Sequence, residues 1–474
     1  MNGVTIVYGE DEGGEEIEEL TEQGSNRDTI FQHNLTNGTP TNRKGASTNP
    51  TGKYTNLKAK GKLFFRCNFE NGNLDAARET VPQAEWDLEI RGDTNNSKYR
   101  VWFYFAVSNV KNKQVCIFNV INFSKGRSLY REGMTPLVRS TKRTHWQRIP
   151  SRNSFYYKSP KHKMNYVLSF IFEFDNEDEE YFFAYSFPYT YSDLQKYLYQ
   201  IESRKLSFCK RELLCKTILQ RRVDLLVIGK DPRGTRNSLS QIESRRGERR
   251  RVVFVSARVH PGESPASYMC HGLIEFLLSS TPLAQLLRKH ITFMIVPMLN
   301  PDGVFLGNYR TAFCGLDLNR QWANPAEWLV PENYHVKSLI KELADDPWIS
   351  LDFVIDMHAH STSMNAFCFV NLVADDSRDI SRMQDELTFL RLMSINCKMF
   401  SLNSSRICCD PSKLGTGRRE LPQVVQDHTH CYTLEASFFC YQNVGCRPTP
   451  FTQQTLIEVG RDAGITFLDY YRLR

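Results

Sequence analysis

No apolar run in the chain is long enough to span a membrane; the best candidate, Ile291 to Leu299, is broken by Pro297. The first residues hold no basic, apolar leader. They carry an acidic run instead (Glu10, Asp11, Glu12, Glu15, Glu16, Glu18 and Glu19), so a signal peptide is not expected. No CxxC spacing occurs among the 13 cysteines, their number is odd, and Cys408-Cys409 is a vicinal pair. A Cys₄ zinc site is therefore unsupported, and reduced thiols of a cytosolic protein are expected. Charge of one sign is not in great excess: the net charge of +7 permits an acidic partner without requiring one. The arginine cluster Arg245, Arg246, Arg249, Arg250 and Arg251 has no interleaved aromatics, so nucleic acid is not expected as a partner.

What is present falls into three stretches. Residues 1–58 are rich in Gly, Asn, Thr and Glu and read as a disordered tail. Residues 59–190 have a β texture, with short aromatic and β-branched runs such as Leu63 to Phe69, Trp86 to Arg91, Lys98 to Val107 and Tyr166 to Phe174. Turn signals such as Arg91-Gly92-Asp93 separate them, which predicts an antiparallel β-sandwich domain. No catalytic constellation is evident in it, and its basic stretches read as a solvated rim. Residues 191–474 alternate strand and helix patterns, which predicts an α/β domain with a mixed or mostly parallel central sheet. A helix is expected over Asp193 to Arg204, capped by Ser192. Strands are expected at Val223–Ile228, Val252–Val259, Ile291–Pro297, Leu351–Met357, Phe367–Val373 and Cys431–Phe438.

The stretch Val252 to Glu263 organises the second domain. A buried strand ends there on His260-Pro261-Gly262-Glu263. The carboxyl ends of strands in open α/β sheets are where ligands bind. His260 and Glu263 supply two candidate zinc ligands. A third is expected from Asp356-Met357-His358-Ala359-His360, where His358 and His360 share a face of an extended chain and either could ligate. A His₂Glu set leaves a position open for water, the arrangement of a hydrolytic site.

Such a site needs a base for its water. Glu435, the one carboxylate in an apolar strand, is costly to bury unless it is paired or functional. Cationic groups follow Asn300-Pro301-Asp302-Gly303: Arg310, then Asp317-Leu318-Asn319-Arg320. Arginine suits bidentate capture of a carboxylate and stabilisation of an oxyanion. A flexible basic loop, with Lys413, Arg418 and Arg419, precedes Glu435. Taken singly, HxxE, HxH, NPDG or an arginine pair is usually structural. All of them together, nearly all at strand ends of one α/β unit, point to chemistry.

HPGE, NPDG, DLNR, DMHAHS and YTLEASF together resemble the zinc carboxypeptidase superfamily. The resemblance is closer to its cytosolic carboxypeptidase branch, the protein deglutamylases, and within it to the short, type-six form. In that branch a β-sandwich also precedes the catalytic domain, joined by a segment like Phe183 to Tyr189. The resemblance implies one Zn²⁺ per chain on His260, Glu263 and His358, with His360 behind them. It implies Glu435 as general base, Arg310 at the oxyanion, and Asn319 and Arg320 on the substrate's terminal carboxylate. It further implies removal of C-terminal or side-chain glutamates from tubulin and other acidic protein tails, in the cytoplasm at microtubule structures. Arg418 and Arg419, with Lys413 as a further candidate, would then receive the departing glutamate. Digestive relatives carry a mobile Tyr before the base. Lys413 to Asp427 holds none, and the GTGRR loop is expected in its place. Two rival readings are a deacylase of small N-acyl amino acids and a non-catalytic binder of acidic tails.

Overall fold

The computed structural model describes residues 60–233, 249–371, 380–407, 413–443 and 445–474, without the side chains of 380–383. The acidic tail, most of the Gly-, Ser- and Arg-rich stretch before Val252, and Cys408-Cys409 lie outside the described residues.

Two five-stranded sheets make up the first unit. One contains β1 (Phe64–Arg66), β4 (Tyr104–Ser108), β6 (Leu137–Ser140), β7 (Gln147–Arg148) and β10 (Tyr181–Ala184). The other contains β2 (Ala76–Val81), β3 (Glu85–Glu89), β5 (Gln114–Val120), β8 (Ser154–Ser159) and β9 (Asn165–Phe174). Every pairing is antiparallel except β3 with β5, which run parallel. The sheets face one another through aromatic rings. Phe183 stands 5.6 Å from Phe105 and 5.5 Å from Phe118, and all three are fully buried. Burying one such side chain contributes about 2–3 kcal/mol.

The helix Tyr191–Ser203 opens the second unit. Its cap is Thr190 rather than the expected Ser192: the Thr190 hydroxyl accepts from the Asp193 amide, and the Asp193 side chain returns the bond. Such a reciprocal pair satisfies two otherwise open donors at once.

An eight-stranded mixed sheet follows, in the order β11 (Cys209–Lys216), β12 (Arg222–Ile228), β14 (Ile291–Val296), β13 (Arg250–Ala257), β15 (Ile349–His360), β18 (His430–Ser437), β16 (Ala366–Val370) and β17 (Arg406–Ile407). Its centre, β14-β13-β15-β18, is parallel, as the near-continuous apolar runs require. Several helices cover one face, two of them in direct contact. Helix α1 (Ser264–Leu278) starts directly after Glu263, and α2 (Gln453–Tyr470) lies against it in backbone contact. A Cβ on Gly272 would stand 1.9 Å from the Ile457 carbonyl oxygen, and one on Gly460 would stand 1.8 Å from that of Met269. Glycine is needed at both positions for the helices to meet. Among the described residues no helix is long and apolar enough to cross a membrane.

Candidate active site

The turn after β13 is held by a buried arginine. Arg258 has φ +63° and is fully buried. Its Nε donates to the Pro261 carbonyl at 2.7 Å, and its Nη1 donates to the Tyr189 carbonyl at 3.1 Å and to Ser267 Oγ at 2.8 Å. Gly262 closes the turn by donating its N–H to the Tyr309 carbonyl at 2.7 Å. This seats His260 and Glu263 at the strand end.

The third element arrives by strand register. β15 does not stop at Met357, as expected, but runs on to His360. His358 therefore lies inside a strand, beside β13, with its ring centroid 4.9 Å from that of His260. Glu263 joins the two rings. Its Oε1 is 2.8 Å from His260 Nδ1, and its Oε2 is 3.0 Å from His358 Nδ1. The Ala359 amide donates to the same Oε2 at 3.0 Å. Among the described residues, His260, Glu263 and His358 form the one group that could hold a metal ion; their ligand atoms lie within 4.8 Å of one another.

A carboxylate stands behind each ring. His358 Nε2 lies 2.6 Å from Asp356 Oδ2, and Ser256 Oγ donates to Asp356 Oδ1 at 2.8 Å. His260 Nε2 lies 3.2 Å from Asp317 Oδ1, and Arg310 Nε donates to Asp317 Oδ2 at 2.8 Å. Such partners fix ring orientation and raise ligand basicity. His360, expected behind the ligands, accepts the Ser363 amide on its Nδ1 at 2.9 Å. Asp317 and Asp356 hold the supporting places. Both were legible: Asp356 is two residues before His358 on one strand face, and Asp317 opens the DLNR motif.

Burial pushes the Glu263 carboxyl up, but His260 and His358 outweigh it and hold it well below the ordinary range. Burial likewise raises Asp317, and Arg310 and His260 pull it far lower. Burial lowers His358, while Asp356 and Glu263 carry it well above its usual value. These directions belong to the metal-free side chains. Glu435 behaves differently. Burial, only partly offset by His358, lifts it to about 7. It is the register partner of His358 on β18, and its Oε2 has no hydrogen-bond partner among the described residues.

Asn319 follows Asp317 directly, and its amide donates to Asp317 Oδ1 at 2.8 Å. Asn319 Oδ1 accepts the Gly417 amide at 3.0 Å, and Arg320 Nη1 donates to the Asn319 carbonyl at 3.0 Å. The Gly415–Arg419 stretch thus lies on the Asn319-Arg320 pair. It is not wholly a loop: Gly417–Glu420 forms a helical turn. Arg418 is buried, with Nη1 on the Val370 carbonyl at 3.2 Å and on Asn371 Oδ1 at 2.5 Å. It lines a small cavity together with Asp356, Ser256 and Trp322. Arg419 and Lys413 are half-buried.

Comparison with known proteins places the chain in a family. A zinc carboxypeptidase model matches residues 194–346, and a cytosolic carboxypeptidase N-terminal domain model matches residues 65–185. Cytosolic carboxypeptidase 6 of Homo sapiens is 46% identical over 425 residues, covering 90% of this chain and 81% of its own length. The chain belongs to the cytosolic carboxypeptidase family. Cytosolic carboxypeptidase 6 of Caenorhabditis elegans is 41% identical, with 88% of each chain covered. The fold is shared with a crystal structure of a metallo-carboxypeptidase from Burkholderia cenocepacia. The TM-score is 0.70 at 21% identity, over 87% of this chain and 99% of that one. The protein is a metallocarboxypeptidase, and one zinc per chain goes with the family.

The residues fit that ion. Two imidazole nitrogens and a carboxylate converge, each imidazole is backed by an acid, and a buried carboxylate oxygen beside them is unpartnered. This donor set is typical of catalytic zinc.

Proposed function

We propose that this cytosolic carboxypeptidase removes C-terminal or side-chain glutamates from acidic protein tails, tubulin among them, in the cytoplasm at microtubule structures. The reading takes residues 59–190 as one domain and 191–474 as the catalytic one, after a tail at 1–58. His260, Glu263 and His358 would hold the zinc. When bound, zinc supplies Lewis acidity toward the scissile carbonyl. Glu435 takes a proton from the attacking water and delivers it to the leaving amine. Burial that lifts its carboxyl to about 7 supports this role, since a base near the working pH both accepts and returns a proton. Arg310, steadied by Asp317, stabilises the oxyanion. Asn319 and Arg320 hold the terminal carboxylate, which makes the enzyme an exopeptidase.

One observation carries the reaction: Glu435 stands as strand partner of the ligand His358 with a buried oxygen that no described protein group satisfies. The acidic preference is supported by the seating of the Gly415–Arg419 stretch, with Arg418 and Arg419, on Asn319-Arg320. The test is release of free glutamate from a synthetic peptide ending in several glutamates, with zinc-loaded protein and an E435Q control. Release that stops in the control supports both parts. Release of another C-terminal residue but not glutamate keeps the peptidase and discards the basic pocket. No release of any residue with zinc bound overturns the proposal and favours a deacylase of small conjugates or a binder of acidic tails.

A further inference from the structure

Arg310 is shaped from outside the catalytic sheet. Asp93, in the loop after β3 of the sandwich, is 4% exposed and spends its whole carboxylate on the segment that carries this arginine. Its Oδ1 accepts the Tyr309 amide at 2.6 Å. Its Oδ2 accepts the Arg310 amide at 2.8 Å, the Thr311 amide at 2.8 Å and Thr311 Oγ1 at 3.1 Å. Three successive backbone N–H groups turned toward one carboxylate fix the dihedral angles between them. Nothing in secondary structure requires that arrangement, because this segment belongs to no helix or strand. The grip continues on either side. Thr94 Oγ1 donates to Asn308 Oδ1 at 3.0 Å, and Asn95 Nδ2 donates to the Phe313 carbonyl at 2.8 Å. The same loop also reaches the side chain: the Arg310 guanidinium carbon lies 5.9 Å from the Tyr99 ring centroid. Arg310 is thus held at its backbone by Asp93, along its face by Tyr99, and at Nε by Asp317, which also braces the ligand His260.

We infer that Asp93 is a positioning residue for turnover: by clamping the backbone of Tyr309 to Thr311 it sets where the Arg310 guanidinium stands, so the sandwich completes the catalytic centre. The inference rests on the proposed role of Arg310 at the oxyanion. A burial role alone would be met by any small polar residue at the boundary. A positioning role demands an acceptor-only carboxylate, since an amide in either orientation would turn its NH₂ toward at least one of these backbone N–H groups. An arginine displaced by about 1 Å would lose on the order of 100-fold in rate.

The experiment is a double-mutant cycle on the full, zinc-loaded chain, with kcat, KM, bound zinc and thermal midpoint read for each variant. D93N is expected to lower kcat about 100-fold, with KM and zinc content close to wild type. The pair D93N/R310A is expected to be no slower than R310A alone, because the clamp acts only through that arginine. S169A, which loses a buried bond to Asn119 within the sandwich, is expected to lower the thermal midpoint and leave kcat in place. Should D93N fail to fold or to keep zinc, Y99L carries the same cycle, with a kcat loss of about tenfold that is absent in the R310A background. Unchanged kcat in D93N, or a loss that adds to that of R310A, overturns the inference alone. Wild-type turnover by R310A overturns the role of Arg310 and the inference with it.

Discussion

His358 and Glu435 are register partners across the parallel pair β15–β18, side by side on the same face of the sheet. A proposed metal ligand and the proposed base are therefore set by one ladder of backbone hydrogen bonds.

Glu435→Gln keeps the size of the side chain and removes its basicity. Zinc content, measured on the purified variant, should equal that of the parent. Glutamate release from an acidic peptide should fall by at least about 100-fold. A variant that still turns over would remove Glu435 from the mechanism.

The metal-free Glu435 carboxyl sits at about 7, and it must be ionised to act as a base. Rate therefore rises with pH through its pKa. A bound cation favours the carboxylate, so the acid limb of kcat/KM in the loaded enzyme should lie below pH 7. An acid limb well above pH 7 would contradict this.

Asp356→Asn leaves the three ligands in place but weakens the partner of His358 Nε2. Zinc affinity, read by competition with a chromogenic chelator, should drop about 10–100-fold. Stripping zinc from the parent should lower its thermal midpoint, and re-addition should restore it, because the ion binds only the folded chain. An unaltered affinity in the variant would show that Asp356 does not support the metal.

Glu332, near the start of the helix Pro331–Asp345, is buried and raised to about 8 by burial, with Asp302 adding to it. Unfolded, a glutamate titrates near about 4.3. The folded chain thus holds a proton that the unfolded chain has lost, and stability declines as pH rises between those values. Glu332→Gln should stabilise the protein at pH 8 by on the order of 1–3 kcal/mol. The gain should shrink to nothing toward about pH 4.3. Thermal melts across that range test it; a gain that grows on acidification would refute it.

The catalytic half was largely legible because its strands are buried on both faces and its helices are punctuated. The expected strands at Val252–Val259 and Cys431–Phe438 appear as Arg250–Ala257 and His430–Ser437. Strands that carry charge or face solvent left no apolar signature: β2 (AARETV), β8 (SFYYKS) and β11 (CKRELLCK) went unread. NPDG reads as a turn, yet Pro301–Leu306 is a helix, because Asn300 caps the Gly303 amide and proline fits its first position.

Within the site, the spacing HxxE announced His260 and Glu263; HxH left His358 and His360 open, and the family resemblance pointed to His358. Arg258 did not show, since a charged residue in a strand end reads as solvated until its three carbonyl and hydroxyl partners are seen. Asp93 could not show. It lies 216 residues before Tyr309, and no local pattern encodes a contact across that distance.

The glycine contact between α1 and α2 has a consequence for how the protein is made. α1 carries Glu263 at its head, and the partner for its Gly272 face is among the last elements of the described chain to be synthesised. A nascent chain that has passed Glu435 already holds every proposed ligand and the base. It still lacks the helix against which α1 settles. A chain ending before Gln453–Tyr470 would leave the helix behind Glu263 without the surface it packs on.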